Sequence, residues 1–226
     1  RLAAENIAVA KSTAEESLAA LNGLTAQKLR EGVFELDSIK TALGEAKKNA
    51  QAFLDASKGV SSGDLAEYDN IALSEKEIAD FEEYLDFAGA FGDVFAKMPN
   101  KLVYSETADV LEMFEGFEGL SASQRAILYE EEQANIFALK DKADALISKK
   151  TAADSALGEL KQAIAENADK KTVQTLKEHA EERTEQFFEE NGTAKDLPDY
   201  GELGNAENLI SEYEQEEFAG QIQEGL

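Results

Sequence analysis

The 226-residue chain holds one histidine, no cysteine and no tryptophan. Thiolate and imidazole chemistry is therefore limited to one side chain, and among the 47 carboxylates nothing distinguishes one as a tuned acid or base. His179 lies in an acidic stretch beside Glu178, Glu181 and Glu182, with Leu176 three residues before it. The Glu-x-x-His pair of carboxylate-bridged metal bundles is missing, and so is His-Glu-x-x-His. A lone histidine on such a helix reads as structural or neutral. Gly59-Val60-Ser61-Ser62-Gly63 matches the spacing of a serine nucleophile elbow. That chemistry needs a strand-to-helix turn and a histidine base, whereas this segment joins two helical patterns and reads as a turn. No calcium loop, P-loop or Gly-x-Gly-x-x-Gly occurs, and Glu130-Glu131-Glu132 reads as a solvated face. Asn191-Gly192-Thr193 is an N-glycosylation sequon, so Asn191 is the candidate acceptor. Asn-Gly is also an ordinary helix-ending pair, and that is the favoured reading. The expected inventory is no catalytic, cofactor-binding or metal-binding residue and no cofactor: a protein that is not an enzyme.

The elements around these residues are helical. Hydrophobic residues make up 43% of the chain and proline occurs only twice, which argues against disorder. Alanine (36) and glutamate (33) together form a strongly helix-favouring background. Leu36, Ile39, Leu43, Ala46, Ala50 and Phe53 step 3-4-3-4-3, the seam of a packed helix. Leu18, Leu21, Leu29 and Val33 carry a stripe further back, and one helix over 2–57 is preferred to two broken near Asn22-Gly23. Ser74-x-x-Glu77 reads as a capping box before Ile78, Phe81, Leu85, Ala88, Phe91, Phe95 and Met98, with a stop at Pro99-Asn100. A short helix over 106–117 turns Val110, Leu111 and Phe114 inward. Ser121-x-x-Gln124 opens the longest stripe, Ile136 to Ile164, which continues to a stop at Asn191-Gly192. Lys150 is its one polar seam position, with a stem able to lie along the seam. The predicted fold is all-α: one elongated bundle of two long antiparallel helices, a small head and a C-terminal helix. Its parts are shafts at 1–58 and 121–190, a head at 59–120, a linker at 191–204 and a final helix at 205–226.

Charge divides along the same lines. Residues 1–63 carry eight basic and eight acidic groups, and residues 121–177 nine of each. Residues 64–120 carry three basic against fifteen acidic, and residues 178–226 two against fifteen. The whole net charge of −25 thus belongs to head and tail, which disfavours nucleic acid and anionic lipid as partners. Neutral shafts allow rods to stand side by side while their ends repel. No stretch reaches the roughly 18 apolar residues of a membrane span. The chain opens at Arg1 with no methionine or signal-peptide pattern, as expected of a processed or truncated piece.

Runs such as Ala14-Glu15-Glu16 and Ala163-Ile164-Ala165-Glu166, the missing cysteines and the two long stripes around a short-helix head carry a family likeness. The whole chain resembles the glutamic acid/alanine-rich protein of the insect-stage African trypanosome coat. The resemblance implies a GPI-anchored, non-variant coat protein at the extracellular face of the plasma membrane. It also implies a fold related to the variant surface glycoproteins, whose usual disulfides this chain lacks. The anchor signal would follow Leu226, so contact with membrane would be only through a C-terminal lipid outside this chain. The expected function is steric and electrostatic shielding, with neighbouring coat molecules as partners. The alternative is a helical receptor or adhesin that binds a host or vector protein through the aromatic-rich head. An intracellular coiled-coil scaffold is a third class. Coat and receptor differ at the head, because a receptor needs an exposed apolar patch there.

Overall fold

The computed structural model describes residues 2–57, 60–97 and 102–224. Among these the chain is all-α, with no strand. The helices are α1 (Leu2–Ala19), α2 (Ala26–Arg30), α3 (Leu36–Ala56), α4 (Asn70–Lys97), α5 (Thr107–Gly119), α6 (Ala122–Arg125), α7 (Glu130–Ala165), α8 (Lys170–Asn191) and α9 (Glu202–Glu224). They fall into two compact units. The first holds Arg1–Gly92 with Gly116–Gln133, the second Asp93–Glu115 with Ala134–Leu226. The predicted stop at Pro99-Asn100, and Met98 and Gly59, lie outside the described residues.

In the first unit the expected single helix over 2–57 is broken twice, once near Asn22-Gly23, where the two-helix alternative placed its break, and again over 31–35, so three helices stand there. Gly23 adopts a left-handed φ of 71°, which costs glycine little and most other residues more. The ammonium of Lys28 then donates to the Gly23 carbonyl (2.6 Å). Thr25 caps α2 by accepting from Lys28 N–H (3.2 Å), and Glu77 accepts from Ala26 N–H (2.7 Å). Glu77 therefore satisfies another helix's orphan donor. The expected capping box at Ser74 is not a helix start, because α4 begins at Asn70 and Ser74 is buried within it. The break brings Leu21, Leu24 and Leu29 into one core with Leu18 and the α3 seam of Ile39, Leu43, Ala46, Ala50 and Phe53. Val33, predicted to face inward, is 61% exposed just after Gly32, a second left-handed glycine.

Ion pairs fix the directions. Lys40 pairs with Glu82 and Lys47 with Glu75, so α3 and α4 are antiparallel. The same register sets Asn70 level with the last turns of α3, and Asn70 Nδ2 donates to the Leu18 carbonyl (3.4 Å). The end of α1 thus lies beside the end of α3, and the two helices pack along one another in the same sense. Residues 20–35 run back between them. Fully buried Ala14 and Ala46, with Ala50 nearly so, keep the helices close.

On α4 the inward face slips from the predicted stripe. Phe87 is buried and Leu85 is exposed. Phe87 meets Phe91 (5.3 Å) and Phe117 (6.5 Å between ring centres). A Cβ on Gly116 would stand 2.8 Å from the Phe91 ring, so a larger residue there would force that ring to shift.

Arg30 closes this unit. Its Nη2 donates to both carboxylate oxygens of Glu132 (2.7 and 2.8 Å), and its Nη1 donates to the Ile127 carbonyl. The guanidinium lies 3.8 Å from the centre of the Tyr129 ring and 5.2 Å from that of Tyr84.

The capping box at Ser121 forms as expected: Ser121 N–H donates to Gln124 Oε1 (2.7 Å) and Gln124 N–H to Ser121 Oγ (3.3 Å). It opens only the four residues of α6, however, and the predicted second long helix is broken twice. Residues 126–129 separate α6 from α7, where Tyr129 N–H donates to Glu132 (2.7 Å). The second break, at 166–169, divides α7 from α8. Asn167 sits at φ 54°, its N–H reaches the Ile164 carbonyl, and Ala168 N–H reaches that of Ala163 (3.1 and 3.0 Å). This is the left-handed helix stop that asparagine tolerates after glycine.

Asp169 then caps α8, accepting from Thr172 N–H (3.0 Å) and the Thr172 hydroxyl (2.8 Å). These bonds, the hydroxyl first, hold the Asp169 carboxyl below the usual carboxylate range. A depressed folded pKa stabilises above the ordinary aspartate range, about 4, and the contribution disappears as pH falls through the lower folded value. Asp169→Asn keeps an acceptor but cannot titrate. The wild-type melting temperature should therefore fall relative to the variant between about pH 5 and pH 2. A constant difference would remove the charged cap from the account.

In the second unit the α7 seam is buried as read, from Ile136 and Leu139 to Leu157 and Leu160. Lys150 lies along it, paired with Asp154 (2.5 Å) and 5.0 Å from the Tyr104 ring centre. Lys149 pairs with Glu190 across the 166–169 turn, so α7 and α8 are antiparallel. Lys170 reaches Glu217 (3.0 Å) and Glu214 (3.5 Å), which sets α9 antiparallel to α8. Tyr213 adds a hydrogen bond to the Ala168 carbonyl (2.9 Å).

Candidate functional site

The residues singled out in the sequence do not converge. Ser61 faces Asp64, whose carboxylate accepts from its N–H (2.8 Å) and hydroxyl (3.2 Å) at the entry to a short 3-10 turn. His179 is exposed on α8 and accepts from Arg183 Nε (3.3 Å). Among the described residues no three or more acidic or histidine side chains are grouped to hold a metal ion. Among the described residues no helix is long and apolar enough to cross a membrane.

Asn191 is 2% exposed at the last position of α8. Its Oδ1 accepts from Tyr104 N–H (2.6 Å), and its Nδ2 donates to the Thr193 carbonyl (2.9 Å) and to Asp196 (2.8 Å). Both amide hydrogens are used inside the fold. A glycan on Nδ2 would replace one of them and would need the side chain to leave its socket. Gly192, left-handed at φ 75°, ends the helix by donating to the Phe188 carbonyl (2.7 Å).

An open concavity with two aromatic walls lies between α8 and the start of α9. Glu181, Thr184, Glu185 and Phe188 recur at i, i+3, i+4 and i+7, so one face of α8 presents them together. Tyr200 and Leu203 form the facing wall, and the groove measures about 460 Å³. Phe187 and Phe188 are neighbours on a helix and cannot both point inward. Phe187 is fully buried and Phe188 is 49% exposed. That doublet was the signal in the sequence for an outward aromatic, and periodicity alone passed over it. Tyr200, 46% exposed, is held by the turn that precedes it. Leu197 anchors that turn in the core, and Lys161 pairs with Asp199 (2.6 Å).

The groove is acidic. Glu181 pairs with Lys177 (2.6 Å), which raises the lysine's pKa, first through that hydrogen bond and further through the charges of Glu181 and Glu207. Lys177 therefore stays charged throughout the neutral range, while Glu185 makes no ion pair among the described residues. Arg183 is turned toward His179 and Gln186 (3.3 and 3.2 Å). The site is a recess with two aromatic side chains and a carboxylate, Glu185, that makes no ion pair among the described residues.

Fold and site together define an all-α protein with a recess suited to binding. Comparison with family models, with curated proteins and with solved structures finds no match for the chain.

Proposed function

We propose that the chain is a coat protein without catalytic activity, held at the extracellular face of a plasma membrane by a C-terminal glycolipid and acting by steric and electrostatic shielding. The observation that carries this reading over the receptor alternative is the position of the aromatic side chains in residues 59–120. The eight whose side chains are described, Tyr68, Phe81, Tyr84, Phe87, Phe91, Tyr104, Phe114 and Phe117, are all buried or half-buried. A receptor tip built on that cluster would present it to a partner, whereas here it fills the two cores. Acidic side chains take the opposite place. Eleven of the fifteen between residues 178 and 226 are exposed, so the charge excess acts outward, where it keeps neighbours apart over about a Debye length of 8–10 Å.

The cell-surface location and the lipid come from the resemblance to the trypanosome coat protein. Their test is mass spectrometry of the C-terminus of the protein isolated from its native cells. A glycolipid is expected there, and a free carboxylate would overturn the coat reading.

A further inference from the structure

We infer that the groove between α8 and α9 binds an arginine-bearing segment of another polypeptide, one guanidinium seated among Phe188, Tyr200 and Glu185. This does not rest on the coat reading, and it moves any receptor-like activity away from residues 59–120. Three observations on one surface lead to it.

The first is shape. The recess, about 460 Å³, has the size of sites that take a small group or a long side chain. The second is the walls. Phe188 and Tyr200 stand half-exposed although α8, the turn after it and α9 bury Phe187, Leu197 and Ala206 at 0–3% exposure within a few residues. Half-open aromatic faces attract cations, and arginine most often, because the ring face is electron-rich and the flat guanidinium stacks on it. The third is charge. Glu185 has no cationic partner among the described residues, and Glu181 shares only Lys177. The segment 178–226, which contributes the recess, carries fifteen acidic groups against two basic ones. An anionic or neutral apolar segment would meet unpaired carboxylates there, while a guanidinium can stack and form a fork with Glu185 at once. Thr184, which forms the floor, spends its hydroxyl hydrogen on the Glu181 carbonyl (3.0 Å), so its oxygen is left to accept from an incoming donor.

The test is fluorescence anisotropy of a labelled peptide of alternating glycine and arginine, titrated with the whole protein at about 0.15 M salt. The aromatic double variant Phe188→Ala/Tyr200→Ala leaves every charge in place. Both side chains are half-exposed, so it should fold, and circular dichroism will verify this. The double variant is expected to weaken binding about tenfold, and Glu185→Gln by several-fold. Glu212→Gln/Glu216→Gln, exposed acids outside the recess, should stay within about twofold. A peptide with citrulline in place of arginine should lose most of its affinity, because it keeps the shape without the charge. Equal weakening by the Glu212/Glu216 variant, or an unchanged affinity in the aromatic variant, would mean diffuse attraction and overturn the inference. So would a protein that is dimeric without peptide and becomes monomeric on Phe188→Ala/Tyr200→Ala, since a second copy would then occupy the groove. Absence of binding would overturn it as well.

Discussion

Arg30→Ala is expected to destabilise the first unit by about 2–4 kcal/mol, the largest effect of any single charged side chain there. The arginine side chain is 12% exposed and that of Glu132 is 33% exposed, so the pair is shielded but not dry, and the lower part of the range for buried pairs applies. Removing the guanidinium also leaves the Ile127 carbonyl without that donor and takes away the stack on Tyr129. Arg30→Lys separates the contributions. It keeps the charge and loses both the second donor nitrogen, which serves the Ile127 carbonyl, and the flat contact, so it should recover less than half of the loss. Urea unfolding followed by circular dichroism measures this: the alanine variant should lower the midpoint of the affected transition by about 1 M or more. A shift no larger than that of an exposed pair such as Lys40→Ala would show that the node is peripheral.

Asn191→Ala should cost the second unit about 2–4 kcal/mol, because three hydrogen bonds end on one buried amide and each abandoned buried partner costs about 1–3 kcal/mol before relaxation. Thr193→Ala destroys the same sequon and leaves that amide alone. Its cost should stay below about 1 kcal/mol, the value of the single hydrogen bond from Lys195 N–H to the threonine hydroxyl (3.2 Å). Thermal unfolding of the two variants therefore separates a structural asparagine from a glycan acceptor. If both variants melt like the wild type, the buried network contributes nothing. If both instead lose the mass of a glycan from protein made in a glycosylating host, Asn191 is modified and the socket described above is not occupied.

The legible parts of the sequence were those where one physical rule acts alone. The apolar positions of the α7 stripe from Ile136 to Leu160 are buried throughout, so period and burial coincide. The α3 seam behaves likewise. The unread parts were the breaks, because the apolar stripe resumes after each interruption and periodicity cannot register a change of direction. Asn22-Gly23 and Asn167-Ala168-Asp169 had the right residues for a left-handed stop and a fresh cap. Whether such a pair ends a helix depends on what the next segment can bury, and Leu21, Leu24 and Leu29 settle that only in three dimensions. Ser74-x-x-Glu77 failed for a related reason. The carboxylate that looked like a local cap serves Ala26, fifty-one residues away. The recess between α8 and α9 was least visible of all. It depends on which of two adjacent phenylalanines turns outward, and on a turn around Leu197 and Asp199 that composition reads only as a linker.

The return of residues 20–35 between two helices of the same sense also has a consequence for the order of synthesis. A helix followed by an antiparallel neighbour can dock as soon as that neighbour's first turns exist. Here the last turns of α1 lie against the last turns of α3, so Leu18 has no helical partner until the chain is complete to about Ala56. Until then its apolar stripe is open to the ribosome surface, to chaperones and to other nascent chains. The crossing segment, with Gly23 and Gly32 at its two bends, sets how long that exposure lasts. Lengthening it would cost little in loop entropy, but each added residue would delay the moment at which the first helix is covered.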